Sequence, residues 1–147
     1  MLGGYSWRQK RFRVWTLHYD DSIKRFTFKP WARWRGQSGP GKEIAFLGDS
    51  NVVQEAKSKL VDMLRSKQKL SVGGLDMEPF EVLCTLLKEA KFAEIGGPPQ
   101  IVKVYEHMNA HAFPVYWPTH DSKVCAFGRP LLRYEVVKSK LIDPDNL

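Results

Sequence analysis

Hydrophobic and polar residues alternate over the first part of the chain in the pattern of β-strands. The stretch Arg11–Tyr19 places its side chains alternately on two faces, Asp20–Ser22 supplies the polar residues of a turn, and Lys24–Phe28 alternates again. We therefore predict a β-hairpin over these residues. Further along, Glu43–Leu47 is almost wholly apolar, which predicts a short strand buried on both faces.

The apolar spacing then changes to the helical period in two consecutive segments, 51–67 and 78–91. The first segment follows Asp49, whose carboxylate can accept hydrogen bonds from the free N–H groups of a helix N-terminus. The second begins near Pro79, which suits the first turn of a helix because no helical hydrogen bond is donated there. We predict two consecutive helices over these residues.

The last third of the chain returns to short extended segments, which predict further strands. These are Gln100–Tyr105, Phe113–Trp117, Lys123–Phe127 and Leu131–Val137. The order of strands, two helices and strands predicts a single domain, residues 1–147, of the layered α/β class. We expect a largely antiparallel sheet with the helix pair packed on one of its faces.

Positive charge and tryptophan are concentrated at the N-terminal end of the chain. Residues 1–40 contain nine lysines and arginines against two acids, together with four of the five tryptophans. Residues 41–147 contain fourteen charges of each sign. The predicted domain therefore consists of a basic, Trp-rich N-terminal segment and a neutral body. A positive field of this kind favours encounters with anionic partners.

The composition, 43% hydrophobic and 27% charged, is typical of a globular protein, and no apolar run approaches the ~20 residues of a membrane helix. The N-terminus lacks a hydrophobic stretch after a charged start, so we expect no secretory signal, a cytoplasmic location and no membrane partner.

Cys84 and Cys125 each lie among apolar neighbours, which favours buried free thiols over a disulfide. We expect no cofactor.

Cations and aromatic side chains are interleaved in the basic segment, as in proteins that bind single-stranded nucleic acid or another polyanion. Tryptophans beside strands are equally common in cores and subunit contacts, where arginines stack on them or pair with acids of a neighbouring subunit. Both interpretations stay open at this point. The candidate polyanion-binding residues are Arg8, Lys10, Arg11, Arg13, Trp31, Arg33, Trp34 and Arg35.

The sequence Phe46-Leu-Gly-Asp-Ser-Asn51 lies between a predicted strand and a predicted helix, and it resembles the first block of the GDSL/SGNH esterases. That resemblance implies Ser50 as a nucleophile, which needs a positioned base. The family's base comes from a C-terminal Asp-x-x-His, whereas His120 here is preceded three residues earlier by Trp117. The alternative is that these polar residues cap the helix.

His107 and His111 have a spacing that would place two imidazoles side by side on a helix, as in a metal site. Asn109 and Pro114 interrupt a helix in this segment, and no third ligand is evident. We therefore predict a surface loop and no metal site.

The order of elements from residue 43 onward resembles the proteasome-like N-terminal-nucleophile hydrolases. Ile44-Ala-Phe-Leu-Gly-Asp49 followed by the helix from Val52 to Leu60 is similar to their buried strand, Gly-Asp turn and first helix. The stretch from Ile95 to Val104 is similar to the Gly-Gly turn and re-entry strand that follow the second helix. The resemblance spans roughly Val14 to Tyr134 and implies their layered fold.

The chain departs from that family at its N-terminus. The family attacks with the side chain of the first residue, and this chain begins Met1-Leu-Gly-Gly, with Ser6 available only after cleavage behind Tyr5. No catalytic residue is carried over, so the resemblance implies a non-catalytic or truncated member that acts as an assembly or scaffold subunit. An unpaired sheet edge favours a homo-oligomer. The alternatives are a polyanion-binding module and, more remotely, an esterase that uses Ser50.

Overall fold

In the computed structural model, antiparallel strands flank a central pair of helices, and the predicted mixed α/β class is confirmed. The structure describes residues 1–34, 42–71, 74–107, 109–117 and 124–147. In chain order the elements are β1 (Leu2–Ser6), β2 (Arg11–Asp20), β3 (Arg25–Pro30), α1 (Ser50–Ser66), α2 (Glu78–Glu89), β4 (Ile101–Val104), β5 (Ala110–Phe113), β6 (Val115–Tyr116), β7 (Val124–Ala126) and β8 (Arg129–Pro130).

The N-terminal strands form an antiparallel meander in the order β1-β2-β3. The predicted hairpin of β2 and β3 is confirmed. Its turn is closed by the backbone N–H of Ser22, which donates to the Asp20 carboxylate at 3.0 Å. β1 extends the sheet on the other side of β2, although Gly3 and Gly4 give it a weak strand propensity. None of the described residues 1–34 is buried.

Both predicted helices are confirmed, and local chemistry explains where they begin. The Asp49 side chain accepts hydrogen bonds from the N–H groups of Asn51 and Val52, at 2.8 and 3.4 Å, and so caps α1. Pro79 lies in the first turn of α2. That helix ends where Ala90 adopts a left-handed conformation, with a φ of 49°.

α2 is shared by the two hydrophobic clusters of the fold. One of its faces packs against α1, and the other packs against β6 and β7. The buried members of the first cluster are Leu60, Leu64, Val82 and Leu86. Those of the second are Phe80, Cys84, Val115, Trp117 and Cys125. No strand of the N-terminal sheet contributes a residue to either cluster.

The two cysteines are buried and unbridged, as the sequence predicts. Burial in the second cluster raises the pKa of the Cys84 thiol to about 11 and also raises that of Cys125. Both thiols are therefore protonated at neutral pH, which is the state of a small hydrophobic side chain rather than of a nucleophile.

The expected single sheet is instead divided into three small ones, with β4 paired to β5 and β6-β7-β8 forming the third. The strand predicted over Glu43–Leu47 is not formed, although the preceding residue, Lys42, makes an isolated β-bridge with Trp34. Ile44 and Phe46 pack on the cluster between the helices, while Glu43 and Leu47 are exposed. This apolar segment is therefore covered by helices on one side rather than by strands on both.

Two further predicted strands also differ from the structure. Phe113–Trp117 is divided at Pro114, which has no N–H to donate to a ladder, so β5 and β6 belong to different sheets. Leu131–Val137 contains a turn instead of a strand. The Glu135 carboxylate fixes that turn, because it accepts hydrogen bonds from the Leu132 N–H at 2.8 Å and from the Arg129 guanidinium at 2.6 and 2.7 Å.

Candidate functional site: two surfaces of the N-terminal sheet

The hairpin of β2 and β3 has one apolar and one polar face. Leu17 lies opposite Phe28 and Tyr19 lies opposite Phe26, so these four side chains share one face, which we call the apolar face. The opposite face carries the polar residues Thr16, His18, Asp20, Arg25, Thr27 and Lys29. This is the alternation of a sheet that buries one side against a core.

The apolar face is nevertheless exposed. Phe28, Phe26, Leu17 and Tyr19 retain 73%, 68%, 60% and 48% of their accessible surface. The Tyr19 and Phe26 rings pack edge to face with their centroids 5.3 Å apart, so the apolar surface is continuous across the strands. With ~150–250 Å² for each large side chain, the face exposes roughly 400 Å². The largest apolar patch on a typical monomer is of about this size and is often functional.

A second surface lies where β3 ends and β2 continues beyond it, paired only with β1. A groove of about 390 Å³ is lined there by Arg11 and Arg13 of β2, by Trp31 and Arg33 of the segment after β3, and by Glu43. We call it the arginine groove. Four of the eight predicted polyanion-binding residues are thus brought together, although Arg11 and Trp31 lie far apart in the sequence.

Trp31 and Arg13 are held in place in this groove. The Trp31 indole Nε1–H donates to the Ile44 carbonyl at 2.9 Å, and its backbone N–H donates to the Val14 carbonyl at 2.8 Å. The Arg13 guanidinium donates to the Gln9 side chain at 2.8 Å and lies 5.9 Å from the centre of the Trp15 ring. An aromatic ring and a cation fixed in this way lose little side-chain entropy when a ligand binds.

Arg33 is paired within the groove. Its Nη2 and Nε atoms donate to one carboxylate oxygen of Glu43, at 2.8 and 3.2 Å. Arg11 is exposed and has no ion pair among the residues that the structure describes. Arg11 and Arg13 are therefore the cations that can meet an anion directly. Glu43 is predicted from the sequence only as the start of a strand, not as a binding residue. The sequence signal for its place in the groove is its charge, opposite to that of Arg33 ten residues earlier.

The remaining candidates lie elsewhere. Arg8 and Lys10 are exposed in the turn between β1 and β2 and do not line the groove. Trp34 packs on the cluster between the helices, where its ring meets the Phe46 ring edge to face at 5.7 Å. Its contacts are those of a core residue, one of the two interpretations that the sequence left open. Arg35 lies outside the described residues.

Ser50, the candidate esterase nucleophile, is the exposed first residue of α1, directly after the capping Asp49. Within the described ranges no hydrogen bond joins its hydroxyl to a histidine, and His120 lies outside those ranges. The geometry around Ser50 is therefore that of a helix cap.

The prediction that His107 and His111 do not lie on a helix is confirmed, and His107 lies in a turn. The predicted surface loop is wrong for His111, which lies in β5. The imidazole of His107 packs near Trp7 at 6.0 Å, and that of His111 packs on Tyr105 at 5.6 Å. The described residues contain no group of three His, Cys, Asp or Glu side chains arranged to hold a metal ion.

In the described parts of the chain, no helix is long and apolar enough to cross a membrane. Comparison with protein-family models, with curated proteins and with solved structures finds no match. The inference of function therefore rests on the two surfaces themselves.

Proposed function

We propose that this protein is an assembly subunit that associates with a second copy of itself through the apolar face. The observation that supports this most directly is the pair of exposed cross-strand contacts, Leu17 with Phe28 and Tyr19 with Phe26. These side chains have the alternation of a buried sheet face, yet no described part of the same chain covers them. A partner that covers them gains roughly 25 cal/mol for each Å² of apolar surface removed from water.

Charge favours a two-fold arrangement of two such faces. The four residues of the apolar face are uncharged, and the cations of β3, Arg25 and Lys29, lie on the opposite face of the sheet. Arg13 shares the apolar side but lies four residues from Leu17 along β2, or about 13 Å at ~3.3 Å per residue. A two-fold axis through the apolar face would carry the arginines of the two copies to opposite ends.

Face-to-face packing is favoured over pairing of the β3 edges. Antiparallel pairing of two β3 strands about Thr27 would place Arg25 of one copy opposite Lys29 of the other. Like charges directly opposite each other destabilise a strand pair, and cations on an edge strand protect it from pairing. The face also extends toward Leu2, Trp15 and Pro30, which brings it nearer to the ~800 Å² per partner of a standard interface.

The resemblance to proteasome-like hydrolases agrees with this proposal, because that fold operates in assemblies of packed subunits. The order of strands, two helices and further strands supports it, as does the position of α2 between two packed layers. The buried strand that the resemblance places over residues 44–47 is not formed. We propose that this chain is a domain of that kind and acts as a scaffold.

The proposal is tested by sedimentation equilibrium over about 1–100 µM, the range in which weak interfaces associate. We expect the wild type to dimerise and the double variant Phe26→Thr/Phe28→Thr to dimerise at least ~10-fold more weakly, because buried aromatic anchors dominate interfaces. Threonine preserves the strand propensity and the net charge.

The matched control is Val102→Thr/Val104→Thr, which removes two exposed apolar side chains from β4 in a different sheet. We expect this variant to dimerise like the wild type. A wild-type chain that stays monomeric over the whole concentration range, or an equal loss in both variants, would contradict the proposal.

A further inference from the structure

We propose that the arginine groove binds single-stranded nucleic acid, with phosphates at Arg11 and Arg13 and a base stacked on Trp31. This binding site lies past the end of β3, about 13 Å along β2 from Leu17 at ~3.3 Å per residue, and it goes beyond the assembly function. The groove carries three arginines and one acid, and it lies on the segment that contains the whole net positive charge of the chain. Phosphate neutralisation supplies most of the affinity in such sites.

The position of the groove leaves its cations accessible. β3 ends at Pro30, opposite Trp15, and only the Trp31 N–H to Val14 carbonyl bond continues the ladder beyond it. The Arg11–Arg13 stretch of β2 is paired with β1 on one side and faces the groove on the other. An extended phosphate backbone can therefore follow the β2 edge past Arg11 and Arg13 without displacing a strand.

Trp31 distinguishes a single strand from a duplex. The Trp31 residue keeps 36% of its surface exposed, and the hydrogen bond from its indole N–H to the Ile44 carbonyl fixes the orientation of the ring in the groove. A base reaches an aromatic face only when it is unstacked from its neighbours, as in a single strand. The combination of a basic groove and a fixed aromatic platform is the one that proteins use for single-stranded nucleic acid.

Binding is measured by the fluorescence anisotropy of a labelled thymidine oligonucleotide of about ten nucleotides, titrated between about 50 and 200 mM salt. Two phosphates, at Arg11 and Arg13, give a log–log salt slope of about −1.4, at ~0.7 for each single-strand contact. Arg11→Gln/Arg13→Gln should make that slope less negative by about 1.4. The control Arg133→Gln/Lys140→Gln removes the same charge from two exposed cations far along the chain, and should leave the slope nearly unchanged.

Two variants of Trp31 separate stacking from structure. Trp31→Ala should weaken binding roughly 5- to 150-fold with little change in the salt slope, as expected for loss of one stacked base. Trp31→Phe removes the hydrogen bond to Ile44 but keeps an aromatic face, and should retain most of the affinity. Circular dichroism of both variants checks that the sheet is intact.

Three outcomes would overturn the proposal. The first is no binding of the oligonucleotide near 100 mM salt. The second is an equal loss of affinity in the groove variant and in the Arg133/Lys140 control, which would mean that net charge alone attracts the ligand. The third is equal binding of a duplex or of heparin, with no effect of Trp31→Ala, which would make the groove a general polyanion surface. The dimer measured by sedimentation is unaffected by any of these, so the two proposals fail separately.

Discussion

Glu43 and Arg33 form an ion pair inside the arginine groove, with one carboxylate oxygen accepting from both Nη2 and Nε at 2.8 and 3.2 Å. The Glu43 carboxylate therefore pairs with the Arg33 guanidinium, which an incoming phosphate would otherwise contact. Both side chains are about half exposed, at 59% and 48%, so water screens their attraction and the pair can be opened at small cost. If the groove binds single-stranded nucleic acid as proposed, we expect Glu43 to lower its affinity.

The substitution Glu43→Gln should strengthen binding of single-stranded nucleic acid. It removes a negative charge from the groove and frees Arg33, and a unit charge at ~4 Å in water amounts to about 1 kcal/mol, or roughly fivefold in affinity. Anisotropy titration at low salt measures the gain. The control Glu94→Gln makes the same change in net charge at an exposed position outside the groove. Equal affinities in the two variants would show that Glu43 does not face the ligand.

Salt should act on the two proposed interactions in opposite directions. Each chain carries a formal charge of +7, so two copies that meet through their uncharged apolar faces repel each other at long range. Added salt screens this repulsion, and we expect the dimer measured by sedimentation to become tighter between about 50 and 200 mM, where the Debye length falls below ~14 Å. Dimerisation that weakens with salt would instead point to an interface built on ion pairs.

A buried acid makes the fold sensitive to low pH. Burial alone would raise the pKa of Glu78, but the hydrogen bond from Lys69 and those from the Asp76 and Glu78 N–H groups outweigh it and lower the pKa to about 2. The unfolded value is 4.5. The stabilisation is thus fully present above pH 4.5, falls as the pH drops toward 2, and is absent below that value.

We expect urea unfolding to show this dependence as a fall of roughly 2–3 kcal/mol in the free energy of unfolding between pH 5 and pH 2. Glu78→Gln should remove that part of the pH dependence and should destabilise the protein at pH 7, because Lys69 loses its partner at the start of α2. An unchanged pH profile in the variant would mean that other carboxylates cause the acid sensitivity.

Local chemistry explains which elements could be predicted from the sequence. The beginning of α1 depends on Asp49 and that of α2 on Pro79, and each acts within one turn of its own position. The hairpin of β2 and β3 can be predicted for the same reason, because its turn residues and its alternating apolar and polar positions are close together in the chain. These elements were predicted to within a few residues.

Long-range pairing explains what the sequence could not provide. Glu43–Leu47 has the composition of a buried strand, but a strand also needs a partner strand. In the structure Ile44 and Phe46 instead pack against the two helices. β1 is not predicted from the sequence, because Gly3 and Gly4 have a weak strand propensity. Pairing with β2 compensates for that weakness in the structure. The arginine groove depends on three separate segments, so its residues could be suspected individually but their grouping could not.

Because α2 belongs to both hydrophobic clusters, the parts of the molecule should differ in how readily they unfold locally. The α1 layer and the β6–β7 layer lose contacts together when α2 detaches, so their amide hydrogens should exchange with solvent only through a common, costly event. The N-terminal sheet contributes no residue to either cluster and can open by itself. Substitutions in this sheet should therefore cost less folding stability than substitutions in either cluster, so the surface of the sheet can be altered for binding while the helical layers stay folded.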